Sequence, residues 1–327
     1  MKVFRDLVQI PADLGCTVVS IGNFDGLHRA HQHVLRQNVA RARELWAKSV
    51  VVTFDPHPVR ILRPDVPKYL ITPLPMKLRL FEQLGIDAVL VLTFNRDLSL
   101  MTPREFASEV LLKKLCVREV HEGSNFHFGH HAEGNVQKLA ELGQELGFNV
   151  HIYPQQYYRG HQVSSSRIRE LVAKGEVGIA RSLLARPFSI VGTPGRGRGY
   201  GHRYTVPTIN MSRYDELVPS HGVYITYTRV GEECFESVTN VGMRPTFEHE
   251  SFAIETHLLN FHPIELSADT EVEIWFLKHL RPEIKFPSVD DLRFQISRDV
   301  HNARRYFHLF NHVFKAGAAK PSATLQK

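Results

Sequence analysis

Two histidines three residues apart are the first feature of this chain that points to chemistry. His28 and His31 close the segment Gly22-Asn23-Phe24-Asp25-Gly26-Leu27-His28-Arg29-Ala30-His31. Near the start of a helix, that spacing turns both imidazoles to one side, where they can donate hydrogen bonds to phosphate oxygens. The glycines around Asn-Phe-Asp permit close approach of backbone to a ligand. An apolar run, Thr17 to Ile21, precedes the segment, so it reads as a strand-to-helix junction whose N–H groups and positive helix end face an anion. Two other readings stay open: solvated helix histidines, or a metal site with His33, for which no carboxylate stands at a recognised spacing.

Val163-Ser164-Ser165-Ser166-Arg167-Ile168-Arg169 opens a helix with hydroxyls that can cap it and guanidiniums that can hold phosphate. A serine-rich N-cap is also an ordinary structural feature. No glycine is followed by lysine and no G-x-G-x-x-G occurs, so neither a Walker A loop nor a dinucleotide fingerprint is present.

A second set of candidates lies further along. Gly192, Gly195, Gly197, Gly199 and Gly201 are interleaved with Arg196, Arg198 and Arg203, and Pro207-Thr208-Ile209-Asn210 follows. A basic glycine loop leading into Thr and Asn suits a polyphosphate with its metal; a mobile hairpin is the alternative. Glu255 lies in the alternation Ile254-Glu255-Thr256-His257-Leu258, which reads either as a half-exposed strand or as the setting of a carboxylate base.

These groups need two scaffolds. A length of 327 residues predicts about two domains, and 43% hydrophobic with 23% charged residues is the composition of a folded globular chain. In the first half, short apolar runs alternate with helical patterns, predicting a parallel sheet covered by helices. The runs are Thr17 to Ile21, Val50 to Phe54, Ala88 to Phe94, Arg118 to His121 and Asn149 to Tyr153, with helices from the first junction to about Leu45, over Met76 to Leu84, from Pro103, and over Val136 to Leu146. Asp55-Pro56-His57-Pro58 predicts a loop after the second strand, because two prolines stop a strand or helix from continuing.

From about Phe188 the helical periodicity ends, and alternations such as Val223 to Thr228 and Glu271 to Phe276 predict antiparallel β structure. The boundary falls near Ala185 to Pro187. A last helix runs over about Val289 to Phe314, with Leu292, Ile296, Val300, Ala303 and Phe307 at spacings of three and four, before a small, polar tail at 316–327 expected to be disordered.

Forty Lys and Arg against 34 Asp and Glu leave +6 with no basic block of five, a balance that suits anionic ligands more than nucleic acid. Cys16, Cys116 and Cys234 are too few and too far apart for a disulfide framework or a cysteine zinc site. With no apolar run near the ~18 residues of a membrane span and a charged N-terminus, a cytoplasmic location with no membrane partner is expected.

The strings GNFDGLHRAHQ, TFDPHP, EGSNFHFG and SSSRIR, in that order, resemble the FMN adenylyltransferase module of bacterial FAD synthetases, in the H-x-G-H nucleotidyltransferase superfamily. Ala30 stands where that family has Gly. The segment Gly192 to Asn210, with NVGMRPTF at 240–247 and Glu255, resembles the riboflavin kinase module, a six-stranded β-barrel, with PTIN in place of PTAN. The resemblance implies a Rossmann-like α/β domain over 1–185 and an antiparallel β-barrel with a C-terminal helix over 186–315.

It further implies that ATP for adenylyl transfer lies against Gly22, Asn23, Phe24, Asp25, Gly26, His28, His31, Ser164, Ser165 and Arg167. Asn125 and Phe128 would face the flavin, with core packing as the other reading of Phe128. Gly197, Gly201, Thr208 and Asn210 would hold ATP in the kinase, Thr208 and Asn210 its Mg²⁺, and Glu255 would be the base. The expected catalytic residues are therefore Glu255, His28 and His31. The expected activities are riboflavin to FMN and FMN to FAD, with ATP and Mg²⁺ in both, no nucleic-acid partner, and a monomer or weak homo-oligomer. An enzyme keeping one activity and a non-catalytic flavin- or nucleotide-binding protein are the alternatives.

Overall fold

A computed structural model describes residues 1–67, 69–195, 208–244, 251–262 and 266–315. The chain divides into two compact units, Met1–Arg169 with Ser182–Ala185, and Glu170–Arg181 with the chain from Arg186 onward.

In the first unit the apolar runs become strands β1 (Lys2–Phe4), β2 (Thr17–Ile21), β3 (Lys48–Asp55), β4 (Ala88–Thr93), β5 (Val117–Gly123) and β6 (Asn149–Tyr153). Their order is β1-β4-β3-β2-β5-β6, and every pairing is parallel. Helices α1 (Arg29–Glu44), α2 (Leu74–Gln83) and α3 (Val136–Leu146) connect them. Strands buried on both faces read as continuous apolar runs. Val19, Val50, Val52 and Leu90 pack with Phe106, Leu111 and Leu139, while Val51, Val89 and Val91 pack with Leu27, Leu35, Val39 and Phe81. The order runs outward from β2 on one side and from β5 on the other. The crevice at their carboxyl ends is therefore the topological switch point, where open α/β sheets bind ligands.

Three local features differ from expectation. β1 extends the sheet edge with three residues, too few for periodicity to register. Pro58 starts a short helix, Pro58–Leu62, capped by His57, because proline's fixed φ and missing N–H suit a first helical turn. After Pro103–Glu105 the helix continues as a π-helix over Phe106–Lys114, whose wider turn departs from the usual periodicity.

In the second unit, α4 (Ser165–Ala173) and α5 (Val177–Leu184), each of which the division cuts, precede strands β7 (Phe188–Gly192), β8 (Thr208–Asn210), β9 (Gly222–Val230), β10 (Glu233–Arg244), β11 (Ser251–Leu258) and β12 (Val272–Arg281). Residues 170–181 belong with this unit, and Gly175 (φ +77) lies close against it: a Cβ there would lie 2.4 Å from Ser220 Oγ and 2.9 Å from Tyr224 Oη. The sheet is antiparallel in the order β7-β12-β9-β10-β11-β8. It curls, and its two edges meet where Gly195 N–H donates to Asn210 O at 2.8 Å and Ser212 N–H donates to Thr193 O at 2.9 Å.

One face of the sheet carries five buried hydroxyls linked in a ring. Ser237, Thr226, Thr239, Thr256 and Thr228 follow one another at 2.8, 2.7, 2.7 and 3.1 Å, and Thr228 closes on Ser237 at 2.8 Å. Each hydroxyl can donate once and accept once around such a ring, so the polar groups are satisfied without water. On the opposite face Val223, Ile225, Val238 and Leu277 pack with Ala303 and Phe307 of α6 (Val289–Lys315). Residues 316–327 lie outside the described residues.

Candidate active sites

The first candidate site grows from the end of β2. Phe24 (φ 45), Gly26 (φ 85) and Leu27 (φ 40) all adopt positive φ, which turns the chain sharply from strand into α1. Two of them are not glycine, and such backbone is held only where its surroundings over-determine it. Here the Phe24 ring does so: it is buried, edge-on to Phe81 at 5.7 Å and to His31 at 5.2 Å. Gly26 cannot be enlarged, because a Cβ would lie 3.1 Å from Ile71 at a left-handed φ. Gly22 ties the loop to the sheet through its N–H to Val52 O, 2.9 Å.

His28 is the N-cap of α1, its Nδ1 accepting the His31 N–H at 3.3 Å. An accepting Nδ1 leaves the proton of a neutral ring on Nε2. The two imidazoles stack with centroids 3.6 Å apart. Burial, His28 and the Lys77 ammonium hold His31 well below the usual histidine pKa, so it is neutral at pH 7. Asn23 Oδ1 and His31 Nδ1 are enclosed and have no hydrogen-bond partner. Orphaned polar atoms beside a helix N-terminus fit a cradle that a polar ligand completes.

Asp25 holds the scaffold together. Its carboxylate accepts the N–H groups of Ile71 (3.2 Å) and Thr72 (2.9 Å) and pairs with Arg169, while its carbonyl accepts Ser165 Oγ–H at 2.8 Å. Ser164 Oγ accepts the Arg167 N–H at 3.3 Å and so caps α4. The structure thus brings the segment after β2 and the Ser164-Ser165 helix start to one place, with Arg167 half-buried there. His33 turns away, its ring edge-on to Tyr153 at 5.4 Å, and does not join His28 and His31 as a metal ligand set.

The loop after β5 carries Asn125, exposed, whose carbonyl faces His127 Nδ1 at 3.0 Å. Phe128 is in the core, against Phe106 at 6.0 Å, and stacks on the half-buried Phe126 at 5.4 Å. Glu122, not singled out from the sequence, is fully buried at the end of β5 and accepts the Ile21 N–H; burial raises its pKa well above the carboxylate range.

Beneath α1 lies another group that sequence reasoning passed over. Arg41 forks onto Glu119 at 2.9 and 2.6 Å, and His121 and His151 Nε2 each stand 3.3 Å from the same carboxylate. Arg41 holds the Glu119 pKa down at about 2, and burial pushes that of His121 down to about 4. His121 and His151 are register partners on β5 and β6, a pairing that only the sheet reveals.

The second candidate site is made by strands rather than loops. In the register Asn210↔Glu255↔Asn240, three side chains stand side by side across β8, β11 and β10, and Thr208↔His257 lies two residues along the same face. Directly paired residues share a face, so Thr208, Asn210, Glu255 and Asn240 are grouped and half-buried while Ile209, Ile254 and Thr256 point the other way and are buried. Their oxygens are hard donors of the kind that suit a divalent cation such as magnesium. Gly197 and Gly201 lie outside the described residues.

A family model described as FAD synthetase matches residues 10–167, and one described as riboflavin kinase matches residues 184–307. The chain is 33% identical over 313 residues to the bifunctional riboflavin kinase/FMN adenylyltransferase of Escherichia coli (strain K12), covering 94% of this chain and 99% of that protein. This chain belongs to that bifunctional family. The protein of the same description from Pseudomonas fluorescens is 34% identical, over 93% of this chain and 97% of its own. A solved structure described as a macrolide-efflux protein from Streptococcus pneumoniae is similar over 92% of this chain and 98% of its own, with a TM-score of 0.84 and 25% identity. That likeness bears on the fold. Among the described residues no helix is long and apolar enough to cross a membrane.

The two family models keep the order of the two sites, adenylyltransferase first and kinase second. Lys77 and Glu122 escaped sequence reasoning for one reason: charged residues in helical or strand patterns read as solvated, and only packing shows that they are enclosed.

Proposed function

We propose that this chain phosphorylates riboflavin to FMN on the β8–β11–β10 face and adenylylates FMN to FAD at the carboxyl end of β2, using ATP and Mg²⁺ for both. The observation that carries this reading is the pairing of two built sites in one chain: a phosphate cradle with orphaned polar atoms at Asn23 and His31, and a carboxylate set between two asparagines. The domains would be 1–185 and 186–315.

The two reactions ask different things of the protein. In adenylyl transfer the FMN phosphate is already an ionised nucleophile, so alignment and neutralisation of the developing charge matter most. His28 Nε2–H, His31, the Asn23 side chain and the backbone of Gly22 to Gly26 hold the triphosphate, and Ser164, Ser165 and Arg167 close the other side. Asp25 acts by fixing Ile71, Thr72 and Arg169 around that loop, and Phe24 by wedging it open. Asn125 faces the flavin, and Phe128 supports that wall from the core through Phe126.

In the kinase the nucleophile is an alcohol, which must lose a proton as the P–O bond forms. Glu255 accepts it. Thr208 and Asn210 hold the metal; bound there, Mg²⁺ neutralises phosphate charge. Gly197 and Gly201 would complete the phosphate site. The protein acts on small molecules in the cytoplasm as a monomer or weak homo-oligomer, without nucleic acid or membrane.

The test is incubation of the purified chain with riboflavin, ATP and Mg²⁺, followed by chromatography of the flavins. FMN followed by FAD is expected. Accumulation of FMN alone would leave only the kinase, and unchanged riboflavin with FMN also unconverted would mark a binding protein.

A further inference from the structure

Lys77 is a group near the phosphate cradle that the family strings do not contain and that no side-chain hydrogen bond among the described residues explains. It lies on α2, its side chain turned inward and only 4% exposed. One turn further along the same face is Phe81, whose ring meets Phe24, and Phe24 in turn meets His31. The ammonium is electrostatically coupled to Asp25 in the loop after β2, to Asp55 at the end of β3, and to His31. Through Phe81 and Phe24, the buried face of α2 that carries Lys77 leads to the loop after β2 at the carboxyl edge of the sheet. Among the described residues, Nζ has no hydrogen bond and no carboxylate oxygen within 4.0 Å.

A lysine buried along its length whose ammonium makes no hydrogen bond to the protein is costly, and such groups persist where function needs them. The neighbouring carboxylates do not remove the need. Asp25 is already committed to two backbone N–H groups and Arg169, and Asp55 is exposed at the strand end. The histidine pair does not supply permanent charge either, since His31 is held neutral.

We propose that Lys77 is a phosphate ligand of the adenylyltransferase site, its ammonium donating to a phosphate oxygen of bound ATP. This rests on the adenylyltransferase reading above. In that reaction a phosphate oxygen of FMN bonds to the α-phosphorus as the bond from the α-phosphorus to the bridging oxygen breaks, and the electron pair leaves with pyrophosphate. A cation fixed beside the leaving group is favoured as that charge develops. The low exposure of Lys77 strengthens the interaction by limiting the water around it.

The experiment compares the full chain with Lys77→Met and Lys77→Arg. For Lys77→Met, FMN conversion to FAD should fall by about 10² or more, with a higher KM for ATP. Lys77→Arg, which keeps the charge, should retain more. Riboflavin phosphorylation should be unchanged in both. The thermal midpoint of nucleotide-free Lys77→Met should equal or exceed that of the parent, because a cation on a buried side chain with no hydrogen-bonded partner has been removed. Adenylylation within about threefold of the parent would overturn the proposal. So would a lowered midpoint with equal loss in Met and Arg variants, which would mark a structural lysine. If the parent itself converts no FMN, the underlying reading of the site fails instead.

Discussion

The two sites of this chain are built in opposite ways. The cradle after β2 is made of loops and helix starts, with positive φ at Phe24, Gly26 and Leu27 and polar atoms left unpaired at Asn23 and His31. The proposed kinase face is made of paired strands, where Asn210, Glu255 and Asn240 are set by register and the hydroxyl ring on the other face is fully satisfied. The contrast suits the two chemistries proposed for them. Holding a flexible triphosphate around an already ionised nucleophile calls for many converging donors, which loops and helix ends supply. Removing a proton from an alcohol calls for one carboxylate held still, which a strand supplies.

The largest effect should come from the strand-built site, because it depends on one group. Glu255→Gln should lower FMN formation by roughly 10² to 10⁴, measured as initial rate from riboflavin, with the fold checked by circular dichroism. In the loop-built site the load is shared. His28→Ala with His31→Ala should lower FAD formation from FMN by about 10² or more and leave riboflavin phosphorylation in place.

The first unit should also be the acid-sensitive one. His121 is enclosed and its pKa is depressed to about 4, so in the folded state it stays neutral while the unfolded chain takes up a proton below about 6.5. Stability is therefore complete above pH 6.5 and falls as the pH drops toward 4, by on the order of 3 kcal/mol from this group. Urea titrations at pH 7 and pH 4.5 should show the loss, and His121→Gln should reduce the difference between them.

A smaller effect tests the rigidity of the second unit. Thr256→Val keeps the shape of a ring member but leaves Thr239 and Thr228 short of a partner. It should cost about 1–3 kcal/mol in urea unfolding of that unit. A cost near zero would mean that the hydroxyl ring does not stiffen the sheet next to Glu255.

Much of this was legible in the residues, for reasons that differ between the units. The run at Thr17 to Ile21 and the helix Val136–Leu146, ended by Gly147 at φ 86, stand where their patterns predict, as does the edge strand Asn149–Tyr153. A strand buried on both faces and a glycine C-cap leave strong local signals. The strings around His28, Ser164 and Glu255 pointed, through family resemblance, to the sites proposed above. What no local pattern could show was the alignment of Asn210 with Glu255 and Asn240, because register is set by pairing between strands far apart in sequence. Nor could it show that Lys77 is enclosed, since an amphipathic helix with a lysine reads the same whether that face is wet or dry.

The most direct test of two independent sites is complementation in one tube. Glu255→Gln and the His28→Ala, His31→Ala variant are each incubated with riboflavin, ATP and Mg²⁺, singly and mixed, and the flavins are resolved by chromatography. Each alone should give little or no FAD, the histidine variant accumulating FMN, and the mixture should form FAD as released FMN passes between molecules. No FAD from the mixture, with both variants folded and FMN present, would contradict the assignment of one chemistry to each unit.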